Sequence, residues 1–212
     1  MSHLQEYFAE IPAGIKPLFE NDGKPWTPLA RLAKYIKENL VPAMHGIKVG
    51  EVYLDRDIQV GSGTIIEHGA MIKGPAIIGS NCEIRSGAYI RGNVFIGDNC
   101  VIGHCTEIKS SIVMDGSNCG HFNYVGDSIL GQRVNLGAGS VLANLRFDRK
   151  TIMVGDEETG LLKLGAVLGD DCQIGCNTVL NPGTLFERGV MWSGSPLKSG
   201  KYTRELIKEL RQ

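Results

Sequence analysis

No stretch of this 212-residue chain approaches the roughly 20 consecutive apolar residues that a membrane-spanning helix needs. The N-terminus MSHLQEYFAEI lacks the basic region and apolar core of a secretory signal. Neither sign of charge is in excess, with 22 Lys and Arg against 23 Asp and Glu. The whole-chain charge therefore points to neither a nucleic-acid nor a membrane-surface partner, and any anion site must be a local arrangement. No three histidines have the spacing of a zinc site, and Cys105 or Cys119 near His121 does not complete one, so no metal is expected. Cys82, Cys100 and Cys172 fall in small inward slots of a repeat, where a free thiol acts as a small hydrophobe, and no disulfide framework is indicated. These absences describe a soluble, cytoplasmic protein, and the length suits one domain.

The chain does have a strict rhythm. From Leu54 an aliphatic residue returns every six positions through Val60, Ile66, Ile72, Ile78, Ile84, Ile90, Ile96, Ile102 and Ile108 to Met114. Two positions earlier the side chain is small or β-branched from Thr64 and Ala70 to Thr106 and Ile112, which marks two inward positions of one short strand. Six residues do not match a helix of 3.6 per turn, and they fit short strands separated by bends. Gly61, Gly79, Gly97 and Gly103 follow the aliphatic position directly, where the chain must turn. The rhythm is expected to break between Met114 and Leu130, exposing His121. It resumes at Leu130, Leu136 and Leu142, and again from Leu162 through Leu168, Ile174, Leu180 and Phe186 to Trp192.

One coil cannot bury its own inner face, so neighbouring coils must stack as a solenoid of parallel strands. Residues 143–161, including GDEETG, read as a loop between coils, and loops of that length are usually functional or mobile. Thr27 followed by Pro28 reads as an N-cap with proline at the first helical position. Leu29, Leu32, Ile36 and Leu40 then form the apolar stripe of a helix over about 28–40. Tyr202, Leu206 and Leu210 suggest a second short helix. The expected organisation is a helical N-terminal cap over residues 1–50, the β-solenoid over 51–196 and a C-terminal helix over 197–212, the caps covering open strand edges.

Positions 18 apart lie one above the other at about 4.8 Å. Lys73, Arg91 and Lys109 therefore form a vertical column of cations, repelling by about 1 kcal/mol even in water. Two readings carry equal weight, an anion site and long side chains splayed into solvent. His68 and His104 occupy equivalent turns two coils apart, with Ser86 between them. His121, at an expected kink in CGHFNYVGD, is the better placed general base.

The stretch GHCTEIKSSIVMDGSNCGHFNYVGDSILGQRVNLGAGSVLANLRFDRK resembles the acetyltransferase half of the bifunctional enzyme that acetylates glucosamine 1-phosphate and then uridylylates it. With the NLRFD element and KLGAVLGDDCQIG, it is closer still to the C-terminal domains of archaeal-type sugar-1-phosphate nucleotidylyltransferases. The resemblance covers about residues 60–196, and the pairing of GHFNYVGD with VNLGAG is its most discriminating part. It implies an all-β, left-handed parallel β-helix of hexapeptide repeats, a homotrimer with sites between subunits, and acetyl-CoA as co-substrate.

The resemblance implies roles for single residues as well. His121 matches the base that takes a proton from the sugar amine. Arg91, Lys109 and Lys150 match contacts to the sugar phosphate, Tyr124 and Asn135 contacts to the sugar, and Glu107 a neighbouring position. Ala138 and Asn144 match the acetyl-CoA side, where Cys176 replaces a serine and Leu145 a tyrosine. The implied chemistry is direct attack of the amine on the thioester, with Cys119 a structural neighbour. A Gly-rich nucleotide loop with its Arg and Lys is not found, and residues 1–50 are too few for a nucleotidylyltransferase domain. The alternatives are a non-catalytic sugar-phosphate-binding module that partners a nucleotidylyltransferase, and an acetyltransferase whose acceptor is a nucleotide-linked amino sugar.

Overall fold

Short strands at the hexad spacing wind into three parallel sheets, in a computed structural model that describes residues 3–20, 23–194 and 199–210. Among these residues the first face has nine strands, from Ala43–Met44 to Gly200–Tyr202. The second has eight, from Ile47–Lys48 to Met191–Trp192, and the third has seven, from Tyr53–Leu54 to Val179–Leu180. Successive strands of the chain visit successive faces, so neighbours within a face come from successive coils. This is the stacked parallel solenoid that the hexads predict, the left-handed β-helix that the family resemblance implies. Val60, Ile66, Ile72, Ile78, Ile84, Ile90 and Ile96 stack along its interior, each excluded from solvent. Burial of one such side chain contributes about 1.5–3 kcal/mol relative to its exposed state.

The expected break between Met114 and Leu130 is a slip of register instead. Val101 pairs with Glu83 in the coil below, eighteen residues away, and with Asn118 in the coil above, seventeen away. One residue is lost at the corner after Lys109, where Ser110 takes a left-handed φ of 46°, and a second at the corner after Gly126, where Asp127 takes a φ of 47° and Ile112 pairs with Ile129 seventeen residues on. The interior position therefore falls on Val113 rather than Met114, and continues without a gap through Cys119 and Val125 to Leu130. Met114 and Ile112 point outward, into a second apolar layer. The expectation failed because both 113 and 114 are apolar, so the hexad count ran one step past the true corner. Leu162, expected to restart the rhythm, is exposed, and the interior stack resumes at Ala166 and Leu168.

The same slip places Ser111, not Ile112, in the small inward slot. In this stretch the slot becomes polar, with Thr106, Ser111, Ser117, Asn123, Ser128 and Ser140 all buried. Each donates to a corner carbonyl: Thr106 to Cys119, Ser117 to Gly131 at 2.7 Å, Asn123 to Gly137 at 2.7 Å, Ser140 to Gly137 at 2.7 Å. Several also accept from an amide one coil on, as Ser111 Oγ does from Ser128 and Ser117 Oγ from Val134. These side chains complete the backbone hydrogen bonding at corners where regular rungs stop. Cys82, Cys100 and Cys172 fill the equivalent slots elsewhere, each with its thiol directed at a carbonyl.

The N-terminal segment lies against the flank of the first face, not over the end of the stack as the cap reading supposed. Helix α1 (Pro28–Asn39) buries Leu32 and Ile36. With Tyr7, Phe8, Ile15 and Trp26 they cover the outward Phe95, Ile112, Met114, Ile129, Val167 and Leu185 of that face. A sheet with apolar residues on both sides has to be covered on both. Thr27 is itself helical, and its hydroxyl donates to the Lys24 carbonyl instead of capping α1. At the other end, helix α2 (Arg204–Leu210) sets Ile207 against the interior cluster beside Tyr202. The expected boundary at 196–197 and the Leu210 side chain lie outside what is described.

Candidate active site

His121 ends the strand Asn118–His121 on the second face and stands at the corner leading to the third. It is in register with His104 one coil below. Backbone bonds extend this column: Cys105 N–H to Ser86 O, Phe122 N–H to His104 O, Gly139 N–H to His121 O and Asn177 N–H to Ala138 O. Ser86, His104, His121, Ala138 and Cys176 thus form one continuous edge. Their successors carry the left-handed turn, with φ of 52° at both Cys105 and Phe122. His121 and Cys176 are exposed. The buried Asn123 side chain accepts the His121 amide at 3.3 Å and donates to Gly137 O, so it ties the His121 turn to the coil above.

His104 is held by contact of its Nδ1 with the Ser86 carbonyl oxygen at 2.7 Å. The Cys105 Sγ lies 3.4 Å from Nε2 and 3.8 Å from Nδ1. Near-equal distances to both nitrogens put the sulfur over the ring and off the Nε2 lone-pair axis, so this is no nucleophile–base pair. Cys119 is wholly inside the prism, and burial pushes its thiol up to about 12. It is part of the core.

The third face presents Tyr53, Met71, Tyr89, Glu107, Tyr124 and Val141 outward, in register. Along its far edge run Lys73, Arg91 and Lys109, and they turn back over the face. The Lys73 ammonium lies 5.6 Å from the Tyr89 ring centre, and the Arg91 guanidinium lies 6.0 Å from the same ring. Arg91 donates to Glu107 at 2.8 Å. Lys109 donates to Asp127 at 2.6 Å in a pair with both side chains about 15% exposed. The Asn144 amide also donates to Asp127. Gly126 has no side chain where the Tyr124 hydroxyl and the Asn144 amide crowd in, which draws Tyr124 into the same cluster.

His121, Glu107, Tyr124, Arg91 and Lys109 are therefore gathered on one face and its two edges. Ala138 and Cys176 continue the edge above His121. Asn144 is separated from them, at the Lys109 edge. Asn135 lies round the corner on the second face, between Asn118 and Gln173. Lys150 sits on the long excursion that carries the register from Ile129 to Val167. That loop includes the hairpin Met153–Val154/Glu157–Glu158 and bounds a groove of about 490 Å³ lined by Leu145, Phe147, Ile152, Asn181 and others. Lys150 N–H donates to Asp148, whose carboxyl is held well below its usual range by Arg146. Sequence reasoning missed Asp127 and Asn123. The 18-residue spacing from Lys109 to Asp127 was the available signal for the first.

A solenoid of this construction defines a hexapeptide-repeat protein. Residues 72–193 match the family described as the GMPPB C-terminal domain, more than half of the chain, and the protein belongs to that family. It is 36% identical over 172 residues to the bifunctional sugar-1-phosphate nucleotidylyltransferase/acetyltransferase of Sulfurisphaera tokodaii, covering 76% of this chain and 41% of that protein. It is 34% identical over 164 residues to the bifunctional protein GlmU of Methanococcus vannielii, covering 76% and 39% respectively. The chain spans about two fifths of the length of these curated relatives. Among solved structures, a mutant perosamine N-acetyltransferase from Caulobacter crescentus with CoA and GDP-perosamine matches with a TM-score of 0.36 and 16% identity, over 82% of this chain and 63% of that one.

Proposed function

We propose that this protein is an acetyl-CoA-dependent N-acetyltransferase for an amino-sugar phosphate, with glucosamine 1-phosphate the reference acceptor. The observation that carries the reading is the third face, where an exposed imidazole at one edge meets two paired cations, Glu107 and Tyr124. His121 takes the proton from the attacking amine. Arg91 has five donors and Lys109 three, so each can hold a phosphate oxygen while keeping its carboxylate. Tyr124, with Asn135 from the neighbouring face, positions the sugar, and Lys150 adds charge from the loop. Ala138, a single methyl on the rung above His121, and Cys176 beyond it line the approach for the thioester, with Asn144 at the opposite edge. A backbone N–H of this corner stabilises the oxyanion. A homotrimer suits a three-faced prism, and the protein works in the cytoplasm.

One observation favours the binding-module reading: Asp127 already engages both Lys109 and Asn144, as in a site that holds an anion without turnover. Thiol release from acetyl-CoA, screened against a panel of amino-sugar phosphates, decides between them. Release with glucosamine 1-phosphate is the expected result. Calorimetric binding of sugar phosphate with no acetyl-CoA binding and no release replaces the enzyme with the module.

A further inference from the structure

The long excursion after Leu142 is anchored to two different parts of the molecule. At its start the Asn144 amide donates to Asp127, which also holds Lys109. Further on, Ile152, Val154 and Leu164 are buried, and they share one apolar cluster with Phe8, Trp26 and Leu32 of the N-terminal segment. An ion pair joins the same two segments at the surface. The Lys24 ammonium meets the Glu157 carboxylate on the second strand of the hairpin, and it lies 5.8 Å from the centre of the Trp26 ring.

Lys150 stands between these anchors. Just beyond it the base of the hairpin is closed: Ile152 N–H donates to Leu161 O at 2.8 Å, and the Ile152 carbonyl accepts the Thr159 hydroxyl at 2.7 Å. Gly183 has no room for a Cβ against the Met153 carbonyl, so the hairpin lies tight on the prism there. Before Lys150, the Asp148 carboxylate accepts from both the Arg146 guanidinium and the Lys150 N–H. A functional side chain carried on a loop is placed only as precisely as the groups that support the loop. For Lys150 that support comes in part from the N-terminal segment.

We propose that Lys24, seated over Trp26, is a positioning residue for Lys150: it braces the hairpin from the N-terminal segment, and the hairpin sets where the Lys150 ammonium stands against the acceptor phosphate. Lys24 and Trp26 lie outside residues 72–193, the part of the chain that matches the family. The phosphate contact of Lys150 rests on the sugar-phosphate reading above. The brace does not.

Titration calorimetry of the full chain with glucosamine 1-phosphate tests it, since the enzyme and the binding module both hold that ligand. Lys24→Glu and Glu157→Lys are each expected to weaken binding about three- to five-fold, the upper range for one exposed ion pair, and the double reversal should restore it. The two single changes shift the net charge in opposite directions, so a loss in both separates the brace from long-range attraction. In a Lys150→Ala background Lys24→Glu should have no further effect, because the two residues act as one unit. In steady-state acetyl transfer each single reversal should raise KM for the sugar phosphate by the same factor and leave kcat within about two-fold. Amide exchange over residues 150–161 should quicken in both single reversals and slow again in the double, which reports the brace without any ligand. Unchanged binding in both single reversals, tighter binding by Glu157→Lys, or an undiminished loss in the Lys150→Ala background overturns the proposal. The binding shifts without any thiol release sink the acetyltransferase and leave the brace standing. Thiol release whose KM ignores both reversals does the reverse.

Discussion

His104 and His121 occupy adjacent rungs of one corner, yet only His104 is fixed: its Nδ1 meets the Ser86 carbonyl oxygen at 2.7 Å, and its ring packs edge-on against Phe122 with centres 5.2 Å apart. Among the described residues the His121 ring has no hydrogen-bond partner, so it is the one free to meet a substrate amine. His121→Ala is expected to lower thiol release by about 10²–10⁴-fold, the usual worth of a general base. His104→Ala should cost less than about ten-fold, through loosening of Phe122. Steady-state kinetics of both variants check this, and the reverse order would move the base to His104.

Asp127 joins the phosphate edge to the loop by accepting from both Lys109 and Asn144. Asp127→Ala leaves a largely buried ammonium unpaired. The expected destabilisation is about 2 kcal/mol, short of the roughly 3–5 kcal/mol for a fully buried pair. Urea unfolding measures it, and Asp127→Asn should recover part of the loss because an amide oxygen still accepts from Lys109.

Gly103 faces the Gly120 carbonyl of the next coil so closely that an added Cβ would overlap it. Gly103→Ala therefore has to displace the rung that carries His121. Overpacking of this kind costs about 1–3 kcal/mol or more. A lower melting temperature together with lost acetyl transfer is expected. A fully stable and active variant would show that the coils separate more easily than the contact implies.

Asn123 reaches the His121 turn from inside the prism. Asn123→Ala leaves Gly137 O without this side-chain donor and the His121 N–H without its acceptor, at a cost of about 1–3 kcal/mol. Comparison with Ser117→Ala, which removes an equivalent bond at a corner without a catalytic role, separates stability from positioning. Both should melt earlier, and only Asn123→Ala should also lose kcat.

The buried Asp170 ties the N-terminal segment to the prism by accepting the Ala9 and Gln132 amides, both at 2.8 Å. Desolvation raises its pKa, opposed by those two hydrogen bonds. Because the folded-state value lies above the unfolded one, protonation favours the fold. This contribution is complete below the ordinary aspartate pKa and is lost as pH rises through the raised value. The stability difference between the unaltered chain and Asp170→Asn should therefore shrink with rising pH across the acid range. A difference that grows with pH would contradict the burial argument.

Much of the fold is legible in the chain because a six-residue period has few structural solutions. From Val60 to Ile108 each expected interior aliphatic is interior, and Lys73, Arg91 and Lys109 share an edge because 18 residues make one coil there. The reading failed where a count could not see geometry. One residue is lost at Ser110 and another at Asp127, and with apolar Val113 and Met114 side by side the sequence does not say which one turns inward. With the coil shortened, Gly126 takes the rung above Lys109, while Asp127 falls on the left-handed corner and turns back to the ammonium.

The amino-acid sequence alone determined the repeating strand, the stacked interior, the cation column and the motif that singles out His121. All of these are periodic or local, and so are written in spacing. Only the tertiary structure decided that the N-terminal helices lie on the first face and not over the stack's end, because that choice depends on outward residues from five separate coils forming one apolar surface. It also decided which cation each carboxylate neutralises. Pairings between coils depend on register, and register is set by the summed length of every corner before them.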